Sequence, residues 1–338
     1  MRFIVFGAGG IGGVVGGRLS ESGCHVVLIA RGRHYKAIRE FGLRVESQER
    51  SVTLQLPVVE HPSEIVWTAN DVVLLTMKTQ NTATALCDLA EAAPPDIPVV
   101  SMQNGVENER IALRLFPRVY GVCVMCPTNF VTPGVVQAWS SPVTGMLDIG
   151  CYPTGVDETA RSIAAAFQAS TFHSEPRSDI MRWKFNKLLL NLGNAVDAIC
   201  GLKGPSNPLA AEARREGVAC LKAAGIDFVT DEEETLRRGD VLRLGPVAGQ
   251  TRPGGSSWQS LKRQTRSIEV DYLNGEIVLL GRLHGVPTPV NAMLQRLANQ
   301  MAREGRPPGS MRAEDVLALI QESPPAGIEG KTRSKAME

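Results

Sequence analysis

The chain begins with an apolar run that meets glycines at once: "RFIVF", Arg2 to Phe6, passes straight into "GAGGIG". A strand feeding GxGxxG, here Gly7, Gly9 and Gly12, is compatible with few folds. The first glycine makes a tight turn, the second bares the backbone for a pyrophosphate, and the third lets a helix pack on the strand. Gly13, Gly16 and Gly17 continue the helix as packing positions, so its amides and dipole face the loop. With 33 glycines in the chain, a tight turn without a ligand is the alternative.

Three further apolar runs, "HVVLIA", "DVVLLTM" and "IPVVSM", are strand-like, and helix-length segments separate most of them. Continuous apolar strands joined by crossovers imply a parallel sheet buried on both faces. Val119 to Gly150 is broken by Pro and Gly and reads as the far side of that sheet with hairpin-like additions, followed by a helix over Asp157–Gln168. From Ser178 the pattern turns helical: Asp179–Ile199, Pro208–Ala224, Asp231–Arg238, Ser267–Leu283, Pro289–Arg303 and Ala313–Glu322. The expected fold is α/β, an N-terminal Rossmann-type doubly wound parallel sheet followed by an all-α C-terminal domain. The composition shift sets the domains at 1–175 and 176–323, and the tail 324–338, poor in apolar residues, is expected to be disordered.

A length of 338 residues suits two domains. A net charge of +1 without a dense basic run argues against nucleic acid or an anionic membrane as the main partner, leaving a small molecule. No signal-peptide pattern follows the apolar start, and no stretch approaches the roughly 18 apolar residues of a membrane helix, so the expected location is the cytoplasm. Seven scattered cysteines, an odd number, fit reduced thiols there. Cys123 and Cys126 form a CxxC inside a β-branched run; without a second pair at matching spacing, strand packing is the expected role and no metal site is assigned.

The end of "HVVLIARGR" is where an NAD-specific chain would carry Asp or Glu for the ribose hydroxyls, and here Ala30 and Arg31 stand instead. Guanidinium donors at Arg31 and Arg33 suit an adenosine 2′-phosphate, which favours NADP over NAD; the alternative is that they solvate a turn. Two more strand ends carry polar side chains, Lys78 in "TMKTQNT" and Asn104 in "SMQNGVEN". Ligands of doubly wound sheets lie beyond the carboxyl ends of strands.

"KFNKLLLNLGNAVDAI", Lys184 to Ile199, reads as a single amphipathic helix. Lys187, Asn191 and Asn194 share one face within about 60° of arc, opposite Leu188, Leu189, Leu192, Val196 and Ile199. A polar face is usually a solvated one. Asparagine, though, competes with the helix backbone, and two of them beside Gly193 ask for another explanation, such as a substrate needing compact donors.

Together with "SIEVDYLNGEIVLLGRLHGVPTP", these segments resemble the ketopantoate reductase family from residue 1 to about 304, most specifically in "QNG" and in K-x3-N paired with a later E-x-D-Y-x-N-G. The resemblance implies NADP(H) in the first domain and a 2-oxo acid in the cleft beside the second. The activity implied is reduction of 2-dehydropantoate to pantoate, with a homodimer as an admissible assembly. By that resemblance Lys187 is the catalytic lysine, Asn191 and Ser257 contact substrate, and Asn104 and Glu269 lie beside the nicotinamide ribose. Gly7, Ala8, Gly9, Gly10, Ile11, Gly12, Arg31 and Lys78 hold the rest of the cofactor. From the residues alone, Glu269 is as readily an exposed helix charge, and His284 a loop or helix-end histidine.

The sequence departs from the family pattern at two expected substrate contacts, with Ala195 where a second helical asparagine is usual and Gly254 ahead of the two serines. Same-fold reduction of another 2-oxo acid, ketone or imine is therefore one alternative, and a non-catalytic NADP-binding regulator is another.

Overall fold

The computed structural model describes residues 1–201 and 207–322. Two compact units emerge, one from Met1–Leu188 with Phe228–Pro253, the other from Leu189–Asp227 with the chain from Gly254 onward.

The first unit holds twelve strands: β1 (Arg2–Phe6), β2 (His25–Ile29), β3 (Leu43–Glu46), β4 (Ser51–Leu54), β5 (Val58–Val59), β6 (Asp71–Leu75), β7 (Val99–Ser101), β8 (Val119–Met125), β9 (Thr128–Thr132), β10 (Val135–Ala138), β11 (Gly145–Cys151) and β12 (Phe172–His173). Its helices are α1 (Gly10–Glu21), α2 (Gly32–Phe41), α3 (Thr82–Ala92), α4 (Asn108–Leu113), α5 (Glu158–Ala169), most of α6 (Ile180–Asn191) and, from the returning segment, a helix over Asp231–Arg238. Eight strands form one sheet in the order β12-β11-β8-β7-β6-β1-β2-β5, parallel except that β11 runs against β8. Alternation along each strand fills both faces. Phe3, Val5, Val72 and Leu74 join one core with Val14, Val15 and Leu19 of α1 and Phe167 of α5; Ile4, Phe6, Val73 and Leu75 join a second with Ala85, Leu86 and Leu89 of α3. The continuous apolar run is thus the signature of a strand covered twice.

A second sheet, β4-β3-β10-β9, lies over α1. The sequence pattern does not announce it: Val119 to Gly150 reads as the far side of the main sheet with hairpin-like additions. β8 and β11 do belong there, but β9 and β10 pair with β3 and β4. Helix α1 is therefore clasped on two sides, and its small residues make that clasp close. A Cβ on Gly16 would meet Leu28 Cδ2 at 2.9 Å, one on Gly13 would meet Val136 Cγ1 at 2.9 Å, and one on Gly17 would meet Val45 Cγ2 at 2.7 Å.

Where the chain passes from the first unit to the second, the segment expected as one helix over Asp179–Ile199 is two. Helix α6 stops at Asn191, Leu192 forms a turn, and α7 (Gly193–Cys200) begins at once. Asn194 therefore lies on a different helix from Lys187 and Asn191, and the single polar face of three residues does not exist. The junction is also held from a distance: Asn274 Nδ2, buried, donates to the carbonyl of Leu192, which caps α7, at 3.2 Å and to Asn291 Oδ1 at 3.0 Å. Leu188, Leu189, Leu192, Val196 and Ile199 are all buried, as the pattern required.

The remaining helices are α8 (Pro208–Ala223), α9 (the Asp231–Arg238 helix of the first unit), α10 (Ser256–Lys262), α11 (Asn274–His284), α12 (Pro289–Glu304) and α13 (Ala313–Glu322). The helix expected from Ser267 instead starts as one 3-10 turn, Glu269–Tyr272, ahead of α11. Glu216 of α8 accepts from the backbone amides of Val290 (2.8 Å) and Asn291 (2.9 Å), capping α12 from a neighbouring helix.

The strand-to-helix change of composition near residue 175 and the parting of the compact units inside α6 are different features of the chain. The segment 324–338 lies outside the described residues. No helix among the described residues is long and apolar enough to cross a membrane.

Candidate functional site

Four loops meet at one edge of the main sheet. β1, β2, β6 and β7 are parallel neighbours in register, Phe6 beside Ile29 and Leu75, and Leu75 beside Ser101. Their carboxyl ends deliver the glycine loop, Arg31, Lys78 and Asn104 to that edge.

The glycine loop has the properties the motif requires. Gly7 takes φ +104°, a conformation that costs a residue with Cβ, and its amide donates to the Ile29 carbonyl at 3.1 Å. A Cβ on Gly12 would fall 2.3 Å from the Gly7 carbonyl and 2.4 Å from Thr76 Oγ1, whereas around Gly9 a Cβ meets nothing within 4 Å. The third glycine is thus needed for packing, and the second leaves open space. Gly9 caps α1, so the amides of Gly10, Ile11 and Gly12 belong to its first turn, which has no acidic residue. These amides and the open backbone fit an anionic pyrophosphate.

Arg31 caps α2 and is largely exposed, its guanidinium donating to Asp88 at 2.8 Å. Arg33 is exposed, and Glu60 takes the Gly32 amide at 3.0 Å. Lys78 precedes a 3-10 turn and Asn104 is partly buried. Hydrogen bonds brace these last two loops together. Gln103 Nε2 donates to the Met77 carbonyl (3.0 Å) and Thr82 Oγ1 (2.7 Å), and Asn108 Nδ2 donates to the Asn104 carbonyl and to Thr79 Oγ1 (3.1 Å each).

Helix α6 carries two lysines one turn apart with opposite fates. Lys184 is buried and spent: its ammonium lies 2.6 Å from Glu109 and donates to the carbonyls of Gln103 (2.9 Å) and Val122 (3.3 Å). Local sequence gave no sign of this pair, because Glu109 is distant in the chain and nothing distinguishes Lys184 from a surface lysine. The bond to Gln103 ties α6 to the residue next to Asn104.

Lys187 is half-buried and, among the described residues, has no hydrogen-bond or ion-pair partner. Burial holds its pKa below the usual lysine value; Cys123 and Glu234 oppose that shift, and Arg238 and Arg252 reinforce it. Cys123, buried on β8, and Cys126 donate to different carbonyls, those of Trp183 and Thr144, and burial pushes both thiols up to about 12. They are packing thiols in chemistry as well as position.

The other implied residues belong to the second unit. Asn191 ends α6 and is buried, and its Nδ2 has no hydrogen-bond partner among the described residues. Ser257 is buried on α10, which packs on α7. Glu269 is buried in the 3-10 turn, so it is not the exposed helix charge that sequence alone allowed. His284 is an exposed helix-end residue.

The two departures have structural counterparts. Ala195 is buried among apolar residues of α7. Gly254 takes φ +28°, and a Cβ there would fall 2.6 Å from Trp258 Cγ, so an asparagine does not fit beside this tryptophan. Asn194 lies with its Oδ1 3.2 Å from where a Gly255 Cβ would be, at the start of α10.

Known proteins resemble this chain along most of its length. Residues 3–153 match the profile of the family described as Ketopantoate reductase PanE/ApbA, and 179–302 match that of its C-terminal region. The 2-dehydropantoate 2-reductase of Pyrococcus horikoshii is 30% identical over 306 residues, spanning 88% of this chain and 96% of its own. That of Halobacterium salinarum is 28% identical over 317 residues, spanning 90% and 100%. A crystal structure of a PanE/ApbA family ketopantoate reductase from Ralstonia eutropha superposes with a TM-score of 0.75 at 28% identity, covering 90% of this chain and all of the other. D-mandelate dehydrogenase, solved with NADH and anilino(oxo)acetate, gives 0.77 at 23% identity over 90% and 99%, a similarity of fold. With both profiles matched in order and a relative 30% identical along most of the chain, this protein belongs to the ketopantoate reductase family.

Proposed function

We propose that this chain reduces 2-dehydropantoate to pantoate with NADPH, and that Lys187 is the general acid. The observation that carries the reading is the contrast on α6, where Lys184 is consumed by Glu109 and Lys187 is sheltered, unpartnered and lowered in pKa. The named activity of the relatives supports the substrate.

The residues that would hold the cofactor are Gly7, Ala8, Gly9, Gly10, Ile11 and Gly12 at the pyrophosphate, with Arg31, Lys78, Asn104 and Glu269 around the rest. The chemistry it supplies when bound is hydride. Arg31 supports NADPH over NADH: its exposed pair with Asp88 is worth only about 0–1 kcal/mol, so exchanging that carboxylate for a 2′-phosphate costs little.

Lys187 places a positive charge where the ketone oxygen becomes negative and passes its proton to that oxygen. Burial makes it a better acid than an exposed lysine. Asn191, one turn further along, would give its unsatisfied amide to the substrate carboxylate, and Ser257 would serve as a second donor.

In the test, wild-type protein oxidises NADPH in the presence of ketopantoate, and Lys187→Ala lowers kcat by about 10²- to 10⁴-fold. NADPH binding, followed by nicotinamide fluorescence, persists in the variant. A variant that turns over within a few-fold of wild type sinks the assignment. Ala195 and Gly254 favour one second reading, reduction of a related 2-oxo acid by the same residues. A panel of such acids run beside ketopantoate separates the two by kcat/KM.

A further inference from the structure

His34, a residue the motif does not include, ties three pieces of the first unit together. Its Nε2 lies 2.6 Å from the carbonyl of Ala8 in the glycine loop. Its Nδ1 accepts the Gly134 amide, at the turn between β9 and β10, at 2.9 Å. Phe130 of β9 meets the ring edge-on at 4.9 Å.

These partners fix the ring's state. An amide donating to Nδ1 requires a lone pair there, so the hydrogen sits on Nε2 and is donated to Ala8. The imidazole is neutral and a single tautomer. Protonation would set Nδ1–H against Gly134 N–H, and one bond would have to go.

The Ala8–Gly9 peptide plane is the element being held. Its carbonyl is taken by His34, and its N–H donates to the Gly7 carbonyl at 2.7 Å. A planar peptide pinned at both ends cannot rotate. The amides of Gly10, Ile11 and Gly12 follow directly from it, and the hairpin that supplies Gly134 lies against Gly10, where a Cβ would meet Thr128 Oγ1 at 3.2 Å.

We propose that neutral His34 is a positioning residue for the dinucleotide, holding the glycine loop in the conformation that receives pyrophosphate. The proposal rests on the reading that the chain binds a nicotinamide dinucleotide, and it adds that binding weakens when the ring takes up a proton. The other histidine nearby is His61, whose Nε2 lies 3.8 Å from Asp88, the partner of Arg31, and the His34→Gln variant below retains it. The glycine loop 7–12 and the hairpin 128–135 contain no ionisable side chain, and one turn back on the chain Arg31 is engaged with Asp88. Arg33, Lys36 and Arg39 on α2 are exposed. Burial lowers the ring's pKa below the usual histidine value, so the loss sets in below about 6.5.

The test measures NADH and NADPH dissociation constants by fluorescence between pH 5 and 8 for the full chain, His34→Gln and His34→Leu. Using both cofactors separates a limb of the protein from titration of the 2′-phosphate. Glutamine offers an acceptor and a donor in place of the two ring nitrogens but does not titrate. Wild type is expected to bind evenly above about pH 6.5 and to weaken toward tenfold per unit below the ring's pKa. His34→Gln binds as wild type does at pH 8 and stays flat on acidification. His34→Leu binds several-fold more weakly at every pH, and its residues 7–13 exchange amide hydrogens faster in the free protein. The same acid limb in wild type and His34→Gln, or wild-type affinity in His34→Leu, overturns the proposal. Wild type that binds neither dinucleotide at pH 8 overturns the cofactor reading with it.

Discussion

Lys187 can act as an acid only while it carries its proton, and burial makes that proton easier to lose. Reduction should therefore fall as pH rises through a value below the 10.5 of an exposed lysine. The check is a profile of kcat/KM to pH 10.5 for wild type and Lys187→Arg. Arginine keeps its charge throughout, so its residual activity should lack the alkaline limb. An identical limb in both would assign the titration to another group. At this scale the sequence was readable where a residue type conflicted with its setting. Asn191 stood out because asparagine is a poor helix residue, and it proves to be buried with an unsatisfied amide. Lys184 and His34 did not stand out, because lysine and histidine are ordinary on helices and their partners, Glu109 and Gly134, are remote in the chain.

At the scale of elements, the strands of the main sheet were legible because burial on both faces leaves an unbroken apolar run. The small sheet was not. "LRVE" and "SVTL" are four residues each with only alternate positions inward, too short for periodicity to register. The break after Asn191 was equally hidden. Local propensity permits a continuous helix, and one group that holds the junction is an amide 82 residues away. Asn274→Ala removes that donor and should cost about 1–3 kcal/mol, since it leaves the buried Asn291 Oδ1 without it and takes a second bond from the Leu192 carbonyl. Urea unfolding monitored by far-UV circular dichroism reads the loss; a midpoint unchanged from wild type would mean that the break is sustained by other contacts.

For the whole molecule, composition announced two kinds of architecture, and the fold has both, a doubly wound sheet and a set of packed helices. Composition could not show how the chain shares them out, with Phe228–Pro253 returning to the first unit. The helical unit carries its own pH signature. Burial raises the pKa of Glu216 and of Asp197. The native form therefore keeps protons that the unfolded chain has already released, and stability declines as pH rises from about 4.5 through the raised values. The urea midpoint of this unit, followed by hydrogen exchange of α8 and α12 peptides across a urea series and corrected for the intrinsic exchange rate at each pH, should be higher at pH 5 than at pH 7.5. In Glu216→Gln the difference should shrink; an unchanged difference would point to other groups.

The contact between Gly254 and Trp258 ties two positions into one heritable choice. A lineage that kept this backbone would be confined to glycine at 254, for even with the indole surrendered the β-carbon of residue 258 would lie 2.8 Å from a new one. Engineers wishing to graft a relative's amide onto this scaffold face the same constraint and must move the backbone as well as exchange the side chains.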